Sequence, residues 1–181
     1  MFMRYNFIIA VLSTIAIGFI FQVSAYAQPY GKGVYDSNVP YGNQTALSIS
    51  ATGATLAVSP TNSGTLGTAS SPVTVTSTDV VGYKLYIRAI SSTALISGVS
   101  SIPASANVAS ATLIVNTWGY NTTAAATFIG ITSSDVLLKN ALGPFSAGDT
   151  TTVTYGLNVD LAKTAGKYAS NVIYTAVPQT N

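Results

Sequence analysis

The chain has 181 residues, a net charge of +2 and a charged fraction of only 7%, and it contains no Cys, His or Glu. The lack of Cys excludes disulfides and thiol chemistry, and the lack of His and Glu removes the most common general bases and glycosidase acids. The small, scattered charge excludes strong attraction to nucleic acid or to an anionic membrane surface. Ser, Thr, Asn and Gly supply the polar surface instead, a composition that favours strands and turns.

Residues 1–27 have the pattern of a secretory signal peptide. Arg4 provides the positive start, Phe7–Phe21 is an apolar run, and Ala25-Tyr26-Ala27 is a small-x-small cleavage site. An uncleaved transmembrane anchor is the alternative, because the apolar run is nearly long enough to cross a bilayer. We favour the signal peptide, because no basic cluster follows the run. The expected location is therefore secreted, extracellular and associated with the cell surface, without membrane insertion after cleavage.

Residues 28–44 show neither a strand nor a helix period. They repeat a turn-forming triplet, Pro29-Tyr30-Gly31 and Pro40-Tyr41-Gly42. We interpret this segment as an extended or flexible N-terminal arm, with an ordinary flexible terminus as the alternative. One domain is expected over residues 45–178, followed by a tail at 179–181. A domain of this size can bury a core without disulfides.

The alternation of apolar and polar residues predicts the first elements of the domain. In chain order these are strands at Ala46–Ala51 and Ala54–Val58, a loop over Thr61–Ser71, a strand at Val73–Thr76, a turn at Asp79–Gly82 and a strand at Tyr83–Ala89. In the last of these, Tyr83, Leu85 and Ile87 face one way, and charged or polar residues face the other. The strands on either side of the turn are therefore predicted to form one antiparallel hairpin with a solvated face.

The middle of the chain is less regular. Its patterns predict a short strand at Thr93–Ser97, a buried strand at Ala111–Val115, a strand marked by Phe128, Ile129 and Ile131, and a strand or single helical turn at Val136–Leu138. Pro103 excludes a helix in the Ser- and Ala-rich stretch around it. The sequence Leu142-Gly143-Pro144-Phe145 predicts a turn.

The stretch Thr150–Val177 contains two strand patterns and the connection between them. Alternating apolar residues from Val153 to Val159 predict a half-buried strand. Tyr168–Val177 is apolar on both faces, which predicts a more deeply buried strand. The eight residues between the two patterns are too many for a tight hairpin, so we predict a crossing from one sheet to another. In such a corner the Tyr168 hydroxyl is expected to bond the backbone between Asp160 and Ala165.

Eight or nine short strands separated by turns predict an all-β fold after the N-terminal signal helix. The expected architecture is a single antiparallel β-sandwich, either Ig-like or a jelly-roll Greek key.

Five short stretches, taken in order, resemble one family of secreted bacterial domains. They are Val73-Thr74-Val75-Thr76, Gly82-Tyr83-Lys84-Leu85, Asn116-Thr117-Trp118-Gly119-Tyr120, Thr152-Val153-Thr154-Tyr155-Gly156 and Ala165-Gly166-Lys167-Tyr168. Together they make roughly residues 55–178 similar to the WxL-like cell-surface β-sandwich domains. Trp118-Gly119-Tyr120 stands where that family has Trp-x-Leu, and no second Trp follows. The resemblance implies a non-catalytic role in surface attachment or adhesion.

Residues with the chemistry for catalysis or metal binding are few. The only carboxylates are five Asp, and all of them fall in predicted turns, where Asp is favoured for local hydrogen bonding. A hydrolase site made of Asp135, Asp149 or Asp160 is the least favoured alternative. Thr164-x-x-Lys167 lies in the predicted corner and does not indicate a Ser/Lys dyad. No D-x-D-x-D spacing occurs, so no metal and no cofactor are expected.

Trp118 and Tyr120 are the candidate ligand-binding residues. Aromatic rings stack on sugars, which would make the protein a carbohydrate-binding module, but a Trp packed between two sheets is the more common arrangement. Asn43-Gln44-Thr45 and Asn121-Thr122-Thr123 match the glycosylation acceptor pattern, which would require those positions to be exposed.

The sequence favours a non-enzymatic, exported structural or adhesion protein. Its low charge leaves few of the residues that normally prevent sheet edges from pairing with other molecules. Self-assembly through these edges, or through exchange of the N-terminal segment, is therefore one expectation, and a monomer with covered edges is the alternative. The expected partners are a second copy of the chain or a cell-wall or surface polysaccharide.

Overall fold

The structure, a computed structural model, describes residues 46–179, and this part of the chain is all-β with antiparallel sheets. Its strands are β1 (Ala46–Ala51), β2 (Thr65–Thr78), β3 (Gly82–Ala89), β4 (Leu95–Ser97), β5 (Ser100–Ile102), β6 (Thr117–Asn121), β7 (Val136–Leu142), β8 (Phe145–Val159) and β9 (Val172–Gln179). No helix in this range is long and apolar enough to cross a membrane. The predicted signal peptide and N-terminal arm lie outside the described residues, as do residues 180 and 181.

The nine strands of this range form two larger sheets and one hairpin. The first sheet has the order β1-β2-β8-β6, the second has the order β7-β3-β9, and β4 pairs with β5. The longest pairing joins β2 to β8, from Thr65 opposite Val159 to Val75 opposite Asp149. Because β2 and β8 exceed the usual strand length, they form the axis to which the shorter strands of the first sheet attach.

One hydrophobic core contains residues of both larger sheets. Val73, Val75 and Val153 of the first sheet and Leu85 and Ile87 of the second are fully buried and belong to the same cluster. Their positions follow the period of two that the sequence shows, because alternate residues of a strand face the same side. Burial of each such side chain stabilises the fold by about 1.5–3 kcal/mol.

The predicted hairpin of Val73–Thr76 with Tyr83–Ala89 is wrong. β2 pairs with β1 and β8, whereas β3 pairs with β7 and β9, so the turn after β2 carries the chain from one sheet to the other. Val80 in this turn is buried, and Asp79 has a φ of 62°. Both strands direct alternate residues into the same core, which explains why their patterns are alike although they are not hydrogen-bonded neighbours.

The predicted loop over Thr61–Ser71 is wrong from Thr65 onward, because β2 begins there. Small polar residues resemble a loop in composition, but here the pairing with β8 determines the structure. The Ser70 and Thr154 hydroxyls bond each other across this pair at 3.0 Å. Conversely, Ala54–Val58 is not a strand, although Val58 packs against the core and against Gly67.

The predicted crossing after β8 is confirmed, because Asp160–Lys167 connects a strand of the first sheet to β9 of the second. The Tyr168 hydroxyl donates to the carbonyl oxygen of Thr164 at 2.8 Å, as expected of the corner tyrosine. β9 itself begins only at Val172, later than predicted. In the described part of the chain it pairs only with β3, so it is an edge strand and not a deeply buried one.

The middle of the chain departs most from prediction. Ala111–Val115 is not a strand, and Ile114 within it is 69% exposed. Phe128 and Ile129 form only isolated bridges, to Ala111 and Tyr120. The strand predicted at Thr93–Ser97 is present as β4, and that at Val136–Leu138 is present and extends to Leu142.

A pair of glycines explains why Phe128 is fully buried outside the main core. Gly119 of β6 lies opposite Gly156 of β8. The Phe128 ring packs on Gly156, and the Phe128 Cβ and the Ile129 carbonyl lie against Gly119. A Cβ atom on Gly156 would lie 2.5 Å from the ring, so only glycine permits this close approach. The segment containing Phe128 thereby covers one face of the first sheet.

Candidate functional site

Trp118 and Tyr120, the predicted ligand-binding residues, lie in the interior. Their exposed fractions are 3% and 2%, and the Trp118 indole nitrogen donates to the carbonyl of Thr93 at 2.9 Å. The ring centroids of Trp118 and Tyr155 are 6.2 Å apart. Because the Trp118 and Tyr120 rings are enclosed by protein, they offer no surface on which a sugar could stack. Their burial supports the interpretation that they are packing residues.

The aromatic cluster contains three tyrosines, Tyr120, Tyr155 and Tyr174. The hydroxyls of Tyr155 and Tyr174 bond each other at 2.5 Å, and the Tyr120 hydroxyl is buried without a hydrogen-bond partner among the described residues. Burial raises the pKa of Tyr120, Tyr155 and Tyr174, and the proximity of Tyr174 raises that of the other two further. All three phenols therefore stay protonated at neutral pH and act as uncharged core residues.

The carboxylates of the Asp-only alternative are separated. Asp149 lies within β8 and Asp160 directly follows the strand, so the two are about 35 Å apart at the rise of an extended strand. Asp160 accepts from the Asn116 side chain at 3.0 Å, and Asp135 pairs with Arg88 at 3.3 Å. Each carboxylate thus has its own local partner, which is the arrangement expected of structural Asp residues. In residues 46–179 no group of three acidic side chains could hold a metal ion.

Asp149 is the centre of a polar cluster that joins both larger sheets. It accepts from the Lys139 ammonium of β7 and from the Tyr83 hydroxyl of β3, each at 2.7 Å. Partial burial opposes the ionisation of Asp149, but the hydrogen bonds from Lys139 and Tyr83 and the charge of Lys139 outweigh it and lower its pKa. Burial, with the bond to Asp149, raises the pKa of Tyr83. We call Tyr83, Lys139 and Asp149 the inter-sheet cluster.

An open cleft of about 370 Å³ lies next to this cluster. It is lined by Thr122, Leu138, Lys139 and the three residues Thr150–Thr152 of β8. The cleft is polar, because four of its six lining residues are Thr and one is Lys.

The backbone of β8 is unpaired along this cleft. The backbone N–H and C=O groups of Tyr120 both bond Ile129, on the side of β6 away from β8. Because these groups alternate along a strand, the residues on either side of Tyr120 bond β8: Gly119 bonds Gly156, and Asn121 bonds Thr154. By the same alternation, Thr150 and Thr152 direct their N–H and C=O groups to the side of β6. β6 ends at Asn121, opposite Thr154. Among the described residues, these four groups have no backbone partner, and we call this stretch the open edge of β8.

Other strand edges are also uncharged. β1 pairs only with β2 within the described range and lies against β9, the edge strand of the second sheet. The six residues of β1 are Ala, Leu, Ser and Ile, and all except Leu47 are exposed. β9 likewise has no charged residue, although its Pro178 lacks a donor. Neither edge carries the charges that usually prevent strand pairing between molecules.

Hydroxyl groups bond each other across the outer face of the first sheet. Thr74 and Thr150 are joined at 2.8 Å, and Ser70 and Thr154 are joined at 3.0 Å. These pairs lie on the β2 and β8 strands, on the side opposite the core. They satisfy the polar groups of a surface that has almost no charged side chains.

The structure also locates one of the glycosylation patterns. Asn121 is 4% exposed, and its side-chain nitrogen donates to the carbonyls of Ala125 and Thr127, both at 2.8 Å. It is therefore not the exposed position that a glycan acceptor requires. Asn43-Gln44-Thr45 lies outside the described residues.

Comparisons with known proteins give no relative. No protein-family model matches the chain, and no curated protein and no solved structure matches it. The functional argument therefore depends on the geometry above.

Sequence reasoning missed the inter-sheet cluster and the open edge of β8. Lys139 and Asp149 are ten residues apart on separate strands, and only their opposite charges in a charge-poor chain could have suggested a pair. The open edge depends on where β6 ends relative to β8, which no local pattern encodes.

Proposed function

We propose that the two larger sheets pack face to face as one Greek-key β-sandwich and that the protein is a non-catalytic, exported structural or adhesion module of the cell surface. Three features support the sandwich: the shared core, the crossing after β8, and the corner tyrosine Tyr168. The signal-peptide pattern and the resemblance to WxL-like domains support the location. Its adhesive partner is a second copy or a surface polysaccharide.

The observation that carries this proposal is the uncharged, exposed edge of β1. An edge strand offers a row of backbone donors and acceptors, and proteins that remain monomeric usually protect it with Lys, Pro or a covering segment. In β1, Ser48 and Ser50 are exposed at positions where such charges would stand. Self-association through sheet edges is then the function that the surface supports best.

Charge placed on this edge tests the proposal. Ser48→Lys with Ser50→Lys leaves the partly buried Leu47 unchanged and adds two charges to β1. We expect sedimentation velocity to show concentration-dependent association of the exported protein and at least a tenfold weaker association of the variant, because like charges would face each other across the edge. Ala109→Lys with Ala126→Lys adds the same charge on exposed loop residues and is the matched control.

Two results would contradict the proposal. One is a wild-type protein that stays monomeric at every concentration. The other is an equal weakening of association by the edge and loop variants. That result would show that the added net charge weakens association and that the β1 edge is not the contact.

A further inference from the structure

The open edge of β8 is the best-defined unoccupied strand position in the described part of the molecule. Thr150 and Thr152 present two N–H and two C=O groups to one side, and the 370 Å³ cleft provides space beside them. On their other side Thr150–Thr152 already lie beside β2. A further strand placed here would continue the line of β6 along β8.

We infer that this edge accepts residues 28–44 of a second copy of the chain, which add a short strand beside Thr150–Thr152. This inference rests on the proposed self-association and names its acceptor and donor. Strand addition supplies affinity through backbone bonds and specificity through the alternate side chains of the added strand. The acceptor surface therefore predicts what the donor should carry.

The sequence of the donor segment fits the charges of the acceptor. Lys32, Val34 and Asp36 alternate with other residues, so in an extended strand they share one face. The acceptor presents Asp149 and Lys139, an acid and a base 2.7 Å apart, on the core side of the open edge. Lys32 and Asp36 lie about 13 Å apart along an extended strand. One of them at a time can therefore reach the Asp149–Lys139 pair, where it finds a group of opposite charge.

A second copy fits this position better than the same chain does. β1 begins at Ala46, opposite Thr78, and is separated from the open edge by the widths of β2 and β8. The chain's own segment would have to cross about 14 Å at the end of the sheet and reverse direction. That end is where the Leu142–Phe145 connection joins β7 to β8. Neither constraint applies to a segment that comes from a neighbouring molecule.

The predicted assembly is an open chain of molecules. The donor segment and the acceptor edge are different surfaces, so each copy that receives a strand still has one to donate. Such head-to-tail contacts give filaments unless the rotation between copies closes a ring. This outcome agrees with a structural role at a cell surface.

Proline substitution tests the acceptor. Thr150→Pro with Thr152→Pro removes the two N–H groups that face the cleft and the Thr74–Thr150 hydroxyl bond. It leaves the backbone bonds to β2, since those come from the intervening residues. We expect association of the chain beginning at residue 28 to weaken at least tenfold, since two backbone bonds between the molecules are lost. Asn140→Pro, on the outer edge of β7, is the control for a proline on another strand edge. Unchanged thermal unfolding would show that the variants fold.

Mixing two variants tests the donor. The first lacks residues 28–44 and the second carries the two prolines; the core cluster of both is complete, because it lies between Leu47 and Ala176. Both variants also carry Ser48→Lys and Ser50→Lys, so that association through the β1 edge does not mask the result. We expect each alone to be monomeric and the mixture to form dimers. Because the chain has no Cys, Tyr35→Cys in the donor and Thr152→Cys in the acceptor, both on the face opposite the core, should form one intermolecular disulfide.

The outcomes separate this inference from the proposed function. Association that survives the proline variant, or that is weakened equally by Asn140→Pro, overturns the inference and leaves self-association through another edge. A disulfide found only within single chains of a double-Cys variant, with no dimer on mixing, also overturns it and identifies the chain's own segment as the occupant. A wild-type protein that never associates overturns both.

Discussion

Replacement of Asp149 by Asn should reduce stability by about 1–2 kcal/mol at neutral pH. The carboxylate holds two charge-assisted or polar hydrogen bonds of 2.7 Å, and its side chain is 16% exposed, while that of Lys139 is 33% exposed. Fully exposed ion pairs contribute about 0–1 kcal/mol, and breaking a buried pair costs about 3–5 kcal/mol. The partly exposed cluster lies between these limits, and Asn keeps the side-chain volume and one acceptor.

Thermal unfolding at several pH values measures this contribution. The pKa of Asp149 is lowered in the folded state, so its stabilising effect is present above the unfolded pKa of about 3.9 and is lost as pH falls through the folded pKa. We expect a lower midpoint by about 3–6 °C at pH 7 and almost no difference near pH 2.

Asp135→Asn is the control, because the Arg88–Asp135 pair has side-chain exposures of 36% and 52% and should contribute under about 0.5 kcal/mol. Equal effects of the two substitutions, or an Asp149 effect that persists at pH 2, would refute the reasoning.

Four further predictions concern single features of the described residues. Tyr168→Phe should cost about 0.5–1 kcal/mol in chemical denaturation, because its 2.8 Å bond to Thr164 is solvent-accessible; no change would mean that the corner does not need the bond. Gly156→Ala should cost about 1–3 kcal/mol through the 2.5 Å contact with Phe128, whereas Gly53→Ala, with no atom within 4 Å, should be nearly neutral. Burial raises the pKa values of Tyr83, Tyr120, Tyr155 and Tyr174, so the stability that these residues contribute is complete below the unfolded pKa of about 10 and is lost at higher pH. An ultraviolet titration of the folded protein should show no ionisation of these four tyrosines at about pH 10. Ionisation of all tyrosines near that pH would contradict this. Self-association should weaken by less than about tenfold between low and molar salt, because backbone bonds are screened little and charged contacts of Lys32 and Asp36 are few. A steeper dependence would indicate that charged contacts dominate.

The elements with regular alternation could be predicted from sequence. β3 has apolar residues at every second position and appears where the pattern places it. The same alternation marks the second half of β8, from Val153 to Val159, but the strand itself begins earlier, at Phe145. The corner at Tyr168 was also predictable, because its length and residue types are determined locally. Core membership follows from the same period, since it depends on the strand alone and not on its partner.

Sheet membership could not be predicted in the same way. β2 and β3 are adjacent in sequence and similar in pattern, yet they belong to different sheets. A strand with one apolar face packs equally well on either side of a core, so local pattern leaves the pairing open. The first half of β2 was missed for a related reason, because residues such as Gly67 and Ser70 acquire strand structure only from their pairing with β8.

The low charge and the distribution of polar groups in this fold have a common physical basis. Hydroxyl pairs such as Thr74 with Thr150 satisfy polar groups within the sheet face, so that face needs no ions to remain hydrated. Main-chain groups at a strand edge differ, because no side chain of the same strand can satisfy them. At the open edge of β8, Thr150 and Thr152 have side chains on one side, and on another side main-chain groups that no described backbone group bonds. Within residues 46–179, exposed main-chain groups without a partner therefore lie along this strand edge, where another strand can meet them.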